Sequence, residues 1–205
     1  RTVCTRVTPG DQFDALLRSE PPVLALAPMQ DVTDGAFWKL MHRYGGADVY
    51  WTEYFRVHAT SRLETWIVES IEQNATGQPV VAQMIGNDIP SLIRTAKELQ
   101  RLPVAPIDLN LGCPARHITC QGAGAALLRT PAKIREILDA LTTTRVPVTA
   151  KMRLGYGTKA KCVEIARLIE RGGAAALTVH ARTAKQDYSK KADLGAIRRI
   201  NEALS

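Results

Sequence analysis

The chain has 205 residues, 45% of them hydrophobic, which is enough to bury a substantial core in one folded domain. Twenty-seven Lys and Arg against twenty Asp and Glu give a net charge of +7, a balance that favours polyanionic partners such as nucleic acid. The longest apolar runs fall well short of the ~20 residues that a bilayer-spanning helix needs, so the sequence predicts no membrane segment.

The beginning of the chain shows no targeting segment. Its first residues lack the apolar core of a secretory signal and do not begin with Met, so we expect a cytoplasmic protein with a processed or trimmed start. The cysteines stand at positions 4, 113, 120 and 162 without a Cys-x-x-Cys pair. We therefore expect reduced thiols rather than a disulfide scaffold.

In chain order, residues 1–20 are interpreted as an N-terminal extension with a weak helical pattern at Phe13, Leu16 and Leu17. Short apolar runs and amphipathic stretches then alternate, as in a parallel α/β sheet. The predicted strands cover 23–28, 48–52, 79–84, 107–111, 146–152 and 175–180. The predicted helices include 36–44, 89–100, 131–142, 159–171 and 194–203.

The predicted strands are continuously apolar, which is typical of strands covered on both faces in either a doubly wound sheet or a barrel. Polar residues at every strand's carboxyl end favour the barrel, because there these ends converge on one pocket. These residues are Gln30, Glu53, Gln83, Asn110, Cys113, Lys151, Arg153, His180 and Arg182. We predict an α/β fold, a (β/α)8 TIM barrel, with residues 21–205 as its barrel domain.

A complete barrel of this type has eight strands and ~250 residues, whereas only about six βα units can be placed in this chain. An open arc of six strands would leave two exposed edges that are prone to association. We therefore expect a fragment that lacks the last two units.

The segment 108–128 runs from the fourth predicted strand into a glycine-bent loop that carries Cys113. Barrels of this class place their chemistry at the carboxyl ends of strands. Many free cysteines are small buried hydrophobic residues, and we interpret Cys4, Cys120 and Cys162 in this way. Cys113, at a strand exit, is the candidate catalytic residue.

Six short motifs occur in the order that is typical of the tRNA-dihydrouridine synthases, and the chain from Val23 onward resembles that family. They are residues 27–29 (APM), 52–53 (TE), 81–84 (VAQM), 108–114 (DLNLGCP), 151–153 (KMR) and 179–182 (VHAR). The most specific is Asn-x-Gly-Cys-Pro followed by Gly-Ala-Gly-Ala-Ala-Leu-Leu. The run 52–56 (TEYFR) is most similar to the bacterial branch that acts on tRNA position 16.

This resemblance implies an FMN-dependent oxidoreductase that reduces uridine in tRNA to 5,6-dihydrouridine with NADPH or NADH as reductant. The reaction needs a hydride at C6 of uracil, supplied by reduced flavin, and a proton at C5, supplied by an acid. A thiol with an unperturbed pKa of about 8.5 is protonated at neutral pH and can donate. The family places this proton donor at the position of Cys113.

The resemblance also implies which residues hold FMN. Lys151 and His180 match flavin-contacting positions, where a cation or hydrogen-bond donor stabilises the negative charge of reduced flavin. Gln83 offers an amide that can pair with the pyrimidine edge of the ring. Three consecutive residues provide backbone groups and an apolar floor beneath the ring: Pro28, Met29 and Gln30. No metal site is predicted.

Asn110 and Arg153 are the predicted uracil-binding residues, because a carboxamide and a guanidinium can pair with the carbonyls and N3–H of the base. Both could instead brace the loop. Arg56, and with it Arg116 and His117, are candidates for flanking phosphates or ordinary surface charges. A base inside folded tRNA must be swung out to reach a barrel pocket. We expect tRNA as partner, no membrane association and a monomer at full length.

The chain departs from the family at its end. Barrels of this kind bind a phosphate with the loops after strands seven and eight, and the family adds a C-terminal helical tRNA-binding domain. We expect both to be absent, and therefore weak or no FMN retention by these 205 residues alone. Two alternatives stay open: a flavin barrel reductase acting on a small molecule of the dihydroorotate or enoate type, and a catalytically inactive RNA-binding remnant.

Overall fold

The computed structural model describes residues 7–20, 22–144 and 146–204. The strands are β1 (Ala25–Leu26), β2 (Val49–Trp51), β3 (Phe55–Arg56), β4 (Val80–Ile85), β5 (Ile107–Leu111), β6 (Val148–Arg153) and β7 (Ala176–His180). The α-helices are α1 (Pro9–Leu17), α2 (Gly35–Arg43), α3 (Thr65–Glu72), α4 (Ile89–Leu99), α5 (Arg116–Thr119), α6 (Pro131–Thr142), α7 (Cys162–Arg171) and α8 (Leu194–Asn201). A 3-10 helix covers Gly124–Arg129. Cys4 lies outside the described residues.

The strands form one parallel sheet in the order β1-β2-β4-β5-β6-β7, with β3 paired to the carboxyl half of β4. This order follows the chain without reversal, whereas a doubly wound sheet reverses its order at a switch point. The predicted partial (β/α)8 barrel is therefore confirmed, and the doubly wound alternative is excluded.

Each predicted strand and helix has a counterpart, and three helical segments appear in addition: α3, α5 and the 3-10 helix. The start of α3 carries little sequence signal, because its N-cap position holds Glu64 and not one of the preferred Ser, Thr, Asp or Asn residues. By contrast, Asp34 and Asp88 cap α2 and α4 by accepting from the backbone of Phe37 and Ser91.

Alternation along β5 separates the core from the site. Ile107, Leu109 and Leu111 are fully buried in the principal core, which lies between the sheet and its surrounding helices. Successive side chains of a strand point to opposite faces, so Asp108 and Asn110 face the inside of the curved sheet. The strand β5 therefore contributes a carboxylate and an amide to the interior of the barrel.

Helix α1 packs against the amino-terminal side of the barrel interior. Phe13 is buried there with Trp51, Val81 and Ala105, and its ring meets that of Trp51 edge-on with centroids 6.4 Å apart. A capping box starts the helix, since Thr8 and Asp11 exchange side-chain to backbone hydrogen bonds of 2.9 and 3.1 Å. The weak helical pattern around Phe13 thus corresponds to a real helix.

A β-bulge separates β2 from β3. Trp51 pairs with Val81 and Phe55 pairs with Met84, so three residues on one side face two on the other. The hydroxyl of Thr52 fills the interrupted ladder by accepting from the backbone nitrogen of Gln83 at 3.0 Å. The bulge brings Glu53 and Tyr54 to the mouth of the barrel, beyond the point where the sequence predicts the strand to end.

Candidate functional site

Strand register arranges the inward-facing polar side chains in rungs. Gln83 pairs with Asp108, and Asp108 with Thr149, across β4, β5 and β6. Two residues nearer the carboxyl ends, Asn110 pairs with Lys151. A further rung pairs Arg153 with His180. The rungs lead from the barrel interior to its carboxyl-terminal mouth, where such barrels carry their chemistry. 

Asp108 is the most deeply placed of these polar groups, and it is completely buried. Its Oδ1 accepts from the Thr149 hydroxyl and its Oδ2 from Nε2 of Gln83, both at 2.7 Å. Burial raises the pKa of Asp108 to about 6, and the two hydrogen bonds and the charge of Lys151 act in the opposite direction. At neutral pH the group is therefore mainly a carboxylate.

Asn110 holds the loop that carries Cys113. Its Nδ2 donates to Oε1 of Gln83 at 2.7 Å, and its Oδ1 accepts from the backbone nitrogens of Gly112 and Cys113, both at 2.9 Å. Of the two roles considered for Asn110 from the sequence, the bracing of the loop is the one that the structure shows directly.

Arg153 braces the same loop from the other side. Its Nε donates to the carbonyl of Gly112 at 3.0 Å, and its Nη1 donates to the carbonyls of Thr183 and Gln186 at 3.0 and 3.2 Å. The side chain is buried while lining the site cavity. One guanidinium thus ties together the loops that follow β5 and β7.

Gly124 brings the start of the 3-10 helix against the backbone of Cys113. It has φ of +58°, and a Cβ placed on it would lie 2.8 Å from the carbonyl oxygen of Cys113. That carbonyl accepts from the nitrogen of Ala125 at 3.0 Å. The glycine of the Gly-Ala-Gly-Ala motif is therefore required both by its backbone conformation and by this close approach.

Lys151 on β6 and His180 on β7 supply further polar groups to the site. Burial lowers the pKa of Lys151, the charge of Asp108 raises it, and Arg153 lowers it. Burial also lowers the pKa of His180 to about 4, helped by the charges of Arg153, Lys151 and Arg182. Because a guanidinium only donates, the 3.1 Å contact of Arg182 Nη1 with Nε2 of His180 requires a neutral ring protonated on Nδ1.

A cavity of about 190 Å³ at the mouth brings most of the predicted site residues together. Its lining includes the proposed proton donor, the six proposed flavin residues and both proposed uracil residues: Cys113, Pro28, Met29, Gln30, Gln83, Lys151, His180, Asn110 and Arg153. Arg56 is not among them. It lines a neighbouring cavity of about 280 Å³ with His58 and His117.

Besides Gly112 and Pro114, three residues with polar side chains line the same cavity without an assigned role in the sequence: Glu53, Tyr54 and Tyr188. Glu53 is buried, accepts from the backbone nitrogen of Asp31 at 2.9 Å, and has its pKa raised by burial. Burial and the neighbouring Cys113 raise the pKa of Tyr54, while Arg56 lowers it. The position of Glu53 at a strand end is a sequence signal, whereas the contact of Tyr54 with Cys113 depends on the bulge.

Tyr188 lies over the outer side of the site. Its ring stacks on that of His180 with centroids 5.8 Å apart, and the Arg182 guanidinium lies 5.5 Å from the Tyr188 centroid. The ring is 72% exposed despite these contacts, so it forms an aromatic rim of the cavity.

In the ranges 7–20, 22–144 and 146–204, no group of three or more His, Cys, Asp or Glu side chains is arranged to hold a metal ion. Within the same ranges, no helix has the length and apolar character that crossing a membrane would require.

The model of the dihydrouridine synthase family matches residues 25–205. A tRNA-dihydrouridine(16) synthase of Neisseria meningitidis serogroup B is 37% identical over 191 residues, covering 89% of this chain and 57% of the relative. A protein of the same name from Ralstonia nicotianae is 36% identical over 190 residues, covering 88% and 58%. The tRNA-dihydrouridine synthase B of Pseudomonas aeruginosa is 35% identical, covering 90% and 56%. The chain thus spans less than two thirds of the length of these relatives.

Solved structures share the fold at low identity. A 2,3-dimethylmalate lyase superposes with a TM-score of 0.58 at 17% identity, covering 98% of this chain and 70% of the lyase. A DAHP synthase of Thermotoga maritima gives a TM-score of 0.51 at 14% identity, covering 89% and 48%. These similarities concern the barrel architecture alone.

Proposed function

Because this chain belongs to the dihydrouridine synthase family, we propose that it is the barrel portion of an enzyme that reduces uridine in tRNA to 5,6-dihydrouridine. In this proposal residues 21–205 are a partial FMN-binding barrel and residues 1–20 an extension whose helix α1 packs under it. Cys113 is the proton donor. NADPH or NADH is the reductant, and the enzyme acts in the cytoplasm as a monomer at full length.

The observation that carries the proposal is the fixed position of Cys113 at the barrel mouth. The backbone on either side of the thiol is held by Asn110, Arg153 and Ala125 at distances of 2.9 to 3.0 Å. The side chain itself is half-buried and lines the cavity. A general acid must be held within reach of the atom that it protonates, and this loop provides such a support.

The cavity residues fit the ring of a flavin. Oε1 of Gln30 is buried without a hydrogen-bond partner within the described ranges, so an acceptor is free for a donor group of a bound ring. Lys151 offers a cation and His180 an Nδ1–H donor to the negative charge of a reduced ring. The cavity of about 190 Å³ is smaller than the ~300–1,000 Å³ of typical ligand pockets, which suits a ring more than a whole nucleotide.

FMN, when bound and reduced by NADPH or NADH, would supply the hydride that is added to C6 of uracil. The thiol of Cys113 gives its proton to C5, so that the 5,6 double bond becomes a single bond with one new C–H bond on each carbon, and the sulfur becomes a thiolate. Arg153 lines the same cavity as Cys113, and the thiolate is restored to a thiol by a proton from solvent. The residues therefore support proton delivery and recovery of the acid.

The base and the surrounding tRNA are bound by the remaining polar groups of the mouth. Asn110 donates only one of its two Nδ2 hydrogens to Gln83, so the second is available to a uracil carbonyl. Arg153 lines the cavity beside it, and Arg56 can bind a flanking phosphate from the neighbouring cavity. The charge of +7 favours the polyanionic partner, and the relatives named for position 16 support that uridine as the target.

The test uses the full-length enzyme with unmodified tRNA, FMN and NADPH, and nucleoside mass spectrometry to measure dihydrouridine. We expect product with the unaltered enzyme. With Cys113→Ala we expect the rate of dihydrouridine formation to fall by about 100-fold or more, in line with loss of a general acid. Cys120→Ala, in the same loop region and exposed, is the matched control and retains activity. Undiminished product formation by Cys113→Ala would overturn the assignment, and no product from the unaltered enzyme would support the inactive remnant.

A further inference from the structure

We propose that the buried carboxylate of Asp108 positions the proton donor, because two side-chain amides connect it through hydrogen bonds to the loop of Cys113. The inference rests on the proposed role of Cys113. Asp108 itself is fully buried and does not line the cavity, so it acts through other residues and is a positioning residue.

The connection consists of consecutive hydrogen bonds that all run in one direction. The backbone nitrogens of Gly112 and Cys113 donate to Oδ1 of Asn110 at 2.9 Å. Nδ2 of Asn110 then donates to Oε1 of Gln83, and Nε2 of Gln83 donates to Oδ2 of Asp108, both at 2.7 Å. Each amide is thus oriented by its neighbour, and the series ends on the carboxylate.

The direction of this series requires an acceptor at position 108. Two backbone N–H groups cannot accept, so Asn110 must present its oxygen to them and its nitrogen to Gln83. Gln83 must in turn present its oxygen to Asn110 and its nitrogen to residue 108. A side chain without an acceptor there leaves a fully buried donor on Gln83 unpaired, or forces the amides to turn and breaks the contact with the loop.

Strand pairing makes the series stiff. Gln83 and Asp108 are register partners on β4 and β5, and Thr149 on β6 holds the second carboxylate oxygen at 2.7 Å. The backbone of Gln83 is fixed in addition by Thr52 at the bulge. The loop of Cys113 is therefore anchored to three adjacent strands rather than to the end of β5 alone.

Two substitutions at position 108 separate the hydrogen bond from the charge. Asp108→Val is β-branched, suits a strand and removes the acceptor. Asp108→Asn keeps an oxygen for Gln83, because its amide nitrogen can donate to the Thr149 hydroxyl, which can also accept. If the acceptor positions the loop, asparagine preserves the position of Cys113 and valine does not.

The measurement is the rate of iodoacetamide alkylation at each cysteine, resolved by tryptic peptides. Trypsin places Cys113 in peptide 102–116 and Cys120 in peptide 117–129, so Cys120 serves as an internal reference. We expect Asp108→Val to alkylate at Cys113 at least fivefold faster, with faster amide hydrogen exchange at Gly112 and Cys113. Asp108→Asn stays within twofold of the unaltered protein, and Cys120 is unchanged in both.

Asn74→Ala is the control for a general loss of stability. Asn74 makes half-buried hydrogen bonds of 2.7 to 3.0 Å to Thr76 and Gln78, in the turn just before β4 at the opposite end of the barrel. The proposal is overturned if this variant accelerates Cys113 alkylation as much as Asp108→Val, or if Asp108→Val leaves it unchanged. If Asp108→Val does not fold, Gln83→Met breaks the same series with Asp108 retained and must give the same acceleration.

The readouts distinguish this inference from the proposed function. Alkylation and hydrogen exchange require neither tRNA nor reductant, so they decide the positioning role even if the unaltered enzyme makes no dihydrouridine. In an active enzyme we expect Asp108→Val to lower kcat about tenfold with an unchanged KM for tRNA. A raised KM with unchanged kcat would place Asp108 in substrate binding and overturn the inference.

Discussion

Oδ1 of Asn110 accepts a hydrogen bond from the backbone nitrogen of Cys113 at 2.9 Å, three residues further along the chain. The same oxygen accepts from Gly112, so a single side chain holds the turn that presents the thiol. The residue that the sequence suggests for binding the base is thus also the support of the proposed acid, and changes at Asn110 affect both roles.

Asn110→Ala removes this support, leaving the buried Oε1 of Gln83 and the half-buried backbone donors of Gly112 and Cys113 without this partner. We expect the free energy of unfolding to fall by about 1–3 kcal/mol, the cost of unpaired buried groups. Urea denaturation measures the change. Thr143→Ala, whose hydroxyl bonds a helix carbonyl at the exposed end of α6, is the control and changes stability little. An unaltered midpoint for Asn110→Ala would contradict the bracing role.

Asp108 makes stability depend on pH in a specific direction. Its pKa is raised from 3.8 to about 6, so the native state holds the proton more tightly than the unfolded chain. The contribution of this proton to the free energy of unfolding is complete below pH 3.8 and is lost as pH rises through about 6. The resulting change in the free energy of unfolding is about 3 kcal/mol. Asp108→Asn does not titrate, so its stability relative to the unaltered protein should rise between pH 4.5 and 7.5.

The measurement is the difference in free energy of unfolding between these two proteins at each pH, in which other titrating groups cancel. A difference that is constant over this range would show that the carboxyl does not titrate there.

His180 is expected to stay neutral under working conditions. Burial and the surrounding cations lower its pKa to about 4, and the contact with Arg182 requires an unprotonated Nε2. Ring chemical shifts in NMR should therefore show no protonation of His180 from pH 8 down to pH 5.5. Arg182→Gln removes one of the cations and should move the titration to higher pH, while Arg198→Gln on helix α8 serves as a distant control. A midpoint near pH 6.5 in the unaltered protein would refute this assignment.

Gly124→Ala should disturb Cys113 directly. The substitution combines a left-handed backbone with a Cβ 2.8 Å from the carbonyl of Cys113. Gly77→Ala is a matched control, since Gly77 has φ of +72° but open space around its Cβ position. Both variants should lose about 1–2 kcal/mol of stability from the backbone conformation. Only Gly124→Ala should alter Cys113 alkylation and lower dihydrouridine formation, and equal effects of the two variants would contradict the argument.

Local sequence was sufficient for the outline of the fold. The predicted strand 107–111 has the bounds that β5 shows in the structure, although its sequence alternates between apolar and polar residues instead of being continuously apolar, and 131–142 has the bounds of α6. Both elements depend on residues next to each other in the chain. For helix α3 such a local signal was lacking, because its N-cap position holds Glu64 and not one of the preferred Ser, Thr, Asp or Asn residues.

The site was predictable to the extent that strand ends are predictable. Gln83, Lys151 and His180 follow apolar runs, and the geometry of a barrel brings such ends to one mouth. Arg56 also stands near a strand end but lines the neighbouring cavity. The bulge at Thr52 shifts the following residues by one position, and an extra residue in a strand has no signature in the apolar pattern.

The amino-acid sequence by itself determined the alternation of strands and helices and the placement of Cys113 in a glycine-bent loop, because these follow from periodicity and neighbouring residues. It favoured a barrel, and the strand order of the tertiary structure excluded the doubly wound sheet. Only the tertiary structure decided that Asp108, Gln83 and Asn110 form one series of hydrogen bonds ending at Cys113. Gln83 and Asp108 are 25 positions apart, and strand register brings them together. Register is a property of paired strands, and no single strand carries it in its own sequence.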